Sequence, residues 1–208
     1  MRGTHRADNN DQITRDIQAM KHSKALLAAL PLLAATAQAQ ALTAQGITAK
    51  WVQANLFSSV IPHSIAQAEA LLALQPPAEG EPDNGFVAAV TTTADRVNFF
   101  DGSIVEAEGP FAAGRIMDPF TPTDAGGDAR FAVSVTGSLL VPTNADFSFI
   151  VLSDDGFDFR IDGQTVFELD SDRGPGESRI DFVDLTAGVH SFELIGWEQG
   201  GQFVLELT

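Results

Sequence analysis

Cysteine and tyrosine are both absent from this 208-residue chain, and lysine and arginine together number 12 against 28 acidic residues. The missing cysteines remove disulfides, thiolate metal sites and thiol nucleophiles together, so stability has to come from packing. The shortage of basic residues leaves a formal net charge of -16 at pH 7. Phosphate recognition depends on clusters of lysine and arginine, so the charge argues against nucleic acid and suits a cation or a neutral ligand. Motifs are missing as well. The sequence holds no G-x-S-x-G elbow, no H-E-x-x-H, no C-x-x-C and no phosphate-cradling glycine loop. Beyond the N-terminal region only His63 and His190 remain, too few for a histidine metal site, and a lone strand histidine reads as a packing or hydrogen-bonding residue. Paired acids could serve glycoside hydrolysis, but the spacing across a sugar that it needs cannot be paired up from sequence. No catalytic set emerges, and the chain is read as non-enzymatic.

What is present suits one globular domain: 44% hydrophobic and 19% charged residues, with 15 phenylalanines to supply an aromatic core. The N-terminus has its own logic. From Met20 the sequence MKHSKALLAALPLLAATAQAQA places Lys21 and Lys24 before an apolar run, Ala25 to Ala35, and the small-x-small pattern Ala37-Gln38-Ala39. This is the layout of a secretory signal peptide spanning 20–39, cut after Ala39 or, alternatively, after Ala41, and the run is too short to cross a membrane. An amphipathic N-terminal helix is the other reading. Residues 1–19 would be a misassigned start or a disordered leader, and 40–208 the mature domain. The mature chain then holds no transmembrane segment and ends at Thr208 directly after its last strand, which points to a soluble periplasmic or secreted protein.

Along 40–208 the pattern predicts an all-β antiparallel sandwich or barrel with one short N-terminal helix. Ile47 to Phe57 reads as a strand anchored by Trp51. Ser64 is a good N-cap with Gln67 three residues on, followed by Ile65, Ala68, Leu71 and Leu72 on one face and a stop at Pro76-Pro77. Further strands are expected at Phe86 to Thr92, Arg96 to Phe100, Ala129 to Val141, Asp146 to Leu152, Phe157 to Ile161, Thr165 to Leu169, Ser178 to Val183, His190 to Trp197 and Gln202 to Leu207. Phe157, Phe159 and Ile161 alternate with Asp158 and Arg160, and Phe203, Leu205 and Leu207 with Val204 and Glu206, so each of these strands is expected to have one wet face.

The acidic loops hold the remaining chemistry. Asp155-Gly156 and Asp162-Gly163 are both Asp-Gly pairs between alternating strands, a hairpin signal, and this explains one acid per turn but leaves Asp154 over. Asp170-Ser-Asp172-Arg-Gly174 starts like a calcium loop, yet Pro175 stands where an EF-hand needs glycine and Asp181 where it needs glutamate; it reads as a solvated turn. Two adjacent carboxylates about 5 Å apart repel by roughly 1 to 3 kcal/mol, so water or a cation has to offset Asp154 and Asp155.

The order Thr136-Gly137, then SDDG at Ser153 to Gly156, IDG at Ile161 to Gly163 and the strand entry Leu185 to His190 resembles the protective-antigen-type β-barrel domain, known from the anthrax toxin component, yeast flocculins and adhesins, and some β-glucosidases. The likeness is strong from Ala129 to Leu207 and weaker from Ile47 to Gly102. In sugar-binding members, two consecutive aspartates joined by a cis peptide hold a calcium ion, an asparagine from a later loop adds a ligand, and glycan hydroxyls complete the shell. The resemblance thus implies Asp154 and Asp155 as metal ligands, with Gln199 at the asparagine position, or Glu198 if the register shifts by one. Trp197 in the same loop would either stack on a sugar or sit in the core. The implied function is an exported, non-catalytic, lectin-like or adhesion module that binds a glycan or cell-surface polysaccharide, with Ca2+ as a possible cofactor. The alternatives are a structural or assembly module of the cell envelope without a glycan ligand, and an accessory domain of a polysaccharide-processing system.

Overall fold

The computed structural model describes residues 42–101, 116–120 and 129–208. All of these lie in one compact unit, Gln40–Thr208, and the expected leader and signal peptide fall outside the described residues. The strands are β1 (Thr43–Ala54), β2 (Phe86–Ala94), β3 (Asn98–Phe100), β4 (Ile116–Met117), β5 (Phe131–Val141), β6 (Ala145–Asp154), β7 (Phe157–Ile161), β8 (Gln164–Leu169), β9 (Gly176–Leu185), β10 (Gly188–Glu198) and β11 (Val204–Leu207), with helix α1 at Ile65–Ala73. They build two sheets, β2-β1-β5-β10-β7-β8 and β4-β3-β11-β6-β9. Pairing is antiparallel apart from the short parallel contact of β3 with β4, and β4 has no counterpart among the strands expected from sequence.

The expected phenylalanine core lies between the sheets. Trp51 of β1 meets Phe99, Phe131 and Phe203 edge-on at centroid separations of 5.2, 5.5 and 5.8 Å, the arrangement that ring quadrupoles favour. Phe149 and Phe159 extend it at 5.0 Å.

Helix α1 forms where the cap signal places it. The Ser64 hydroxyl accepts from the Gln67 N–H at 3.3 Å, while the Gln67 side chain reaches back to the His63 N–H at 2.8 Å, closing the reciprocal arm one residue earlier than a capping box does. Its buried residues Ala68, Leu71 and Leu72 lie on Val52, Ala54, Ala132, Ile195 and Trp197, on the outer face of the six-stranded sheet.

That docking overturns the wet face expected for β7. Asp158 is only 1% exposed. Arg160 above it pairs with Asp158 and with Glu69 of α1, each at 2.5 Å, and with Glu193 at 3.4 Å. The wet face expected for β11 is absent too, since Val204 and Glu206 are both buried and Val204 packs with Leu152 and Ile150. Period-two alternation says which side chains share a face, but not whether another element covers that face.

The two Asp-Gly pairs also part company. Asp162-Gly163 is a hairpin turn between β7 and β8, with φ of 50° and 76°, the double positive φ of a type I′ turn. Asp155-Gly156 is no hairpin. β6 pairs with β11 and β9 in one sheet and β7 with β10 and β8 in the other, so the chain changes sheets at this point.

Candidate functional site

Three sheet-crossing connections meet at one rim of the sandwich: β6 to β7 through Asp155-Gly156, β8 to β9 through Asp170 to Pro175, and β10 to β11 through Gln199 to Phe203. They line an open cavity of about 440 Å³ that includes Asp154, Asp155, Asp172, Arg173, Gln199 and Gln202. The peptide between Asp154 and Asp155 is cis, the feature that the family resemblance implies.

The carboxylates converge here. Ligand oxygens of Asp154, Asp155 and Glu198 all lie within 4.8 Å of one another, and all three residues are buried. Their surroundings differ. Asp155 is fixed from two sides, its Oδ1 accepting from the Arg173 N–H and its Oδ2 from the Gln199 N–H, both at 2.9 Å. Glu198 accepts from the Gly200 N–H through Oε1 at 2.6 Å, while its buried Oε2 has no hydrogen-bond partner. The Asp154 carboxylate has no hydrogen bond among the described residues, its place in the sheet being set by the pairing with Val204.

Electrostatics follow this order. Burial, then the negative charges of Asp155 and Asp101, push Asp154 up to about 7, with Arg173 opposing. Burial, then Asp155 and Asp154, push Glu198 up to about 9 against the Gly200 N–H. Asp155 is raised by burial too, with the N–H groups of Gln199 and Arg173 pulling the other way. Each shift has the sign of a carboxylate short of compensating positive charge.

A hard cation fits that deficit. Calcium takes only oxygen ligands, at about 2.4 Å, so two oxygens on one ion are at most about 4.8 Å apart. The spread of the three carboxylates falls within that limit, and the orphaned Glu198 Oε2 supplies a free ligand. Asp154, Asp155 and Glu198 are the residues that would hold the ion, which would offset most of their charge.

Two open readings narrow. Gln199 is at the site, but its backbone N–H serves Asp155 and its side-chain amide donates to the Gly200 carbonyl at 3.4 Å; Glu198, the alternative in the shifted register, brings the third carboxylate. Trp197 is fully buried among Val52, Ala68 and Leu71. Its indole N–H donates to Asp172 at 3.2 Å, so it forms a wall behind the site instead of a face for a sugar.

The loop Asp170 to Gly174 is solvent-exposed, as expected of a solvated turn, with Arg173 half-buried, but it carries ties that the sequence does not show. Asp170 accepts from the Ile65 N–H at 2.6 Å, Asp172 meets His63 Nδ1 at 2.6 Å, and the Arg173 guanidinium reaches the Ser153 hydroxyl at 2.8 Å. Sequence carries little signal for this, because the partners stand about twenty or about a hundred positions away.

No protein-family model matches the sequence, and no curated protein does. Solved structures do match. One is the PA14 domain of MpAFP antifreeze protein, at 19% identity and a TM-score of 0.50 over 81% of this chain and 83% of that one. Another is the PA14 sugar-binding domain from an RTX adhesin, at 22% identity and a TM-score of 0.50 over 78% and 88%. At these identities the likeness shows the fold alone, an all-β sandwich similar to that of these two PA14 domains.

Proposed function

We propose that this chain is an exported, non-catalytic carbohydrate-binding module of the adhesion type, in which Asp154, Asp155 and Glu198 hold a calcium ion that presents open coordination positions to the hydroxyls of a glycan. The observation that carries the reading is the buried carboxylate trio with its unpartnered Glu198 oxygen, set against an open cavity large enough for a sugar ring. A sugar-binding PA14 domain of the same fold supports the ligand class, and the signal-like segment 20–39 supports export. The structural-module alternative would be preferred if the Asp154 and Asp155 carboxylates faced away from the Gln199 loop, and the 2.9 Å bond from the Gln199 N–H to Asp155 speaks for the binding module.

The charge of the site narrows the ligand. Asp101 and Asp172 add negative potential around the trio, and Arg173 is the cation that opposes it at Asp154. A divalent ion does not reverse that balance, so neutral glycans are favoured over uronates or sialylated chains.

Calcium titration monitored by thermal unfolding tests the metal: the midpoint rises with calcium in the wild type and not in Asp154→Asn/Asp155→Asn. No rise in the wild type, or an equal rise in the double variant, sinks the calcium reading. A glycan array run with calcium and again with chelator then tests the ligand. Chelator-sensitive binding to neutral glycans is the expected result, and no glycan binding in either condition returns the chain to a structural role.

A further inference from the structure

The cavity is walled on one side by a loop whose hold on the site comes from outside it. Asp170, Asp172 and Arg173 sit within four consecutive residues between β8 and β9, the two aspartates facing the start of α1 and the arginine facing the site. Asp170 Oδ1 accepts the Ile65 N–H at 2.6 Å, one of the free donors at the start of α1. Asp172 bridges His63 Nδ1 at 2.6 Å, just ahead of the same helix, and the Trp197 indole N–H at 3.2 Å. Arg173 turns inward. Its N–H donates to Asp155 Oδ1 at 2.9 Å, and its guanidinium bonds the Ser153 hydroxyl at 2.8 Å, which itself donates to the Asp155 carbonyl at 2.8 Å.

Helix α1 is in turn fastened to the six-stranded sheet by its apolar face and by Glu69 on Arg160. A continuous chain of contacts therefore runs from the sheet through α1 and Asp170 to Arg173 and the Asp155 carboxylate. The final link orients one of the three carboxylates through its backbone N–H.

We propose that Asp170 and Arg173 are positioning residues: the start of α1 clamps the Asp170–Gly174 loop against Asp155, and this clamp sets how tightly the carboxylate trio holds a cation. The inference rests on the calcium reading of the site. Groups that orient a ligand from behind typically govern metal affinity by about 10- to 100-fold. Coupling of this kind is reciprocal, so loading the site also steadies the helix start.

The test uses the full chain with calcium chloride in calorimetry, and hydrogen exchange at the Ile65 and Arg173 amides. Asp170→Ala removes the acceptor for Ile65 and is expected to weaken calcium by roughly 10-fold, whereas Asp170→Asn keeps a carbonyl acceptor and restores most of the affinity. Asp162→Ala, in the β7–β8 turn at the opposite rim, is the control for general destabilisation and leaves the affinity unchanged. In the wild type, calcium slows exchange at both amides; in Asp170→Ala it slows neither to the same degree. Equal calcium affinity in wild type and Asp170→Ala, or an Asp162→Ala loss as large as that of Asp170→Ala, overturns the clamp while leaving the calcium site standing. A wild type that binds no calcium overturns the calcium reading, and the affinity role of the clamp with it.

Discussion

Gly156 shows how little space the site leaves. A Cβ at this position would lie 2.3 Å from the Leu169 carbonyl oxygen and 2.4 Å from the Trp197 ring, and neither a strand backbone nor a fully buried indole can move aside cheaply. The glycine after the aspartate pair is there for this close approach; its φ is not among the positive ones. Gly156→Ala is therefore expected to destabilise by about 1 to 3 kcal/mol through overpacking, read as a lower denaturant midpoint with an unchanged slope. A substitution that leaves the midpoint in place would show that Trp197 is not held as described. The neighbouring Asp155 also has a reason to be there that differs from a turn preference: two backbone N–H groups, from Arg173 and Gln199, aim its oxygens.

At the scale of elements, the strands from β5 onward were legible because each carries a strong period-two or β-rich pattern bounded by turn residues. Phe157–Ile161 appears as β7 with the expected bounds, and the Ser64 cap with its apolar stripe gave α1. The unread parts have three causes. β4 spans two residues and pairs in parallel, too short to leave a pattern. The Asp155-Gly156 dipeptide carries the same local signal as Asp162-Gly163, yet one crosses between sheets and the other turns within one, a choice made by distant strand partners. The wet face expected at Asp158 failed for a third reason, the covering helix from about a hundred residues earlier in the chain, which also packs on Trp197 and decides for the core position among its two readings. β9 adds a detail without any sequence cue. Opposite the irregular pairing at Phe147 to Phe149, Phe182 takes φ of 64° and stands 81% exposed. Left-handed backbone costs a side chain such as phenylalanine about 1 kcal/mol or more, and asparagine less. Phe182→Asn is expected to raise the unfolding free energy by about 1 kcal/mol, measured by urea denaturation, and a drop of that size would mean that the exposed ring has a packing role.

For the molecule as a whole, the raised carboxyls of the rim are expected to make stability depend on pH and, under the calcium reading proposed above, on the cation as well. A folded chain that holds protons its unfolded form releases loses stability as pH rises between the two values. For Asp154 that window runs from 3.8 to about 7 and for Glu198 from 4.5 to about 9. Without calcium, these two groups make the unfolding midpoint fall as pH is raised through the window. Calcium requires the deprotonated forms, so its stabilising increment grows over the same range and its binding releases protons. Scanning calorimetry across the window, with calcium and with chelator, checks both slopes; parallel curves would contradict the assignment. The formal charge of -16 adds a background repulsion, and salt screens most of it. The trio is screened less, being buried, so under the proposed calcium reading its increment is expected to persist at high salt. The three crossing connections at the rim give the fold one more property. Asp154 ends a strand of one sheet, Glu198 ends a strand of the other, and the loop between β8 and β9 returns from the second to the first. A pull transmitted through anything seated in that cavity would be shared by both layers at once, and no single edge strand would be peeled away alone.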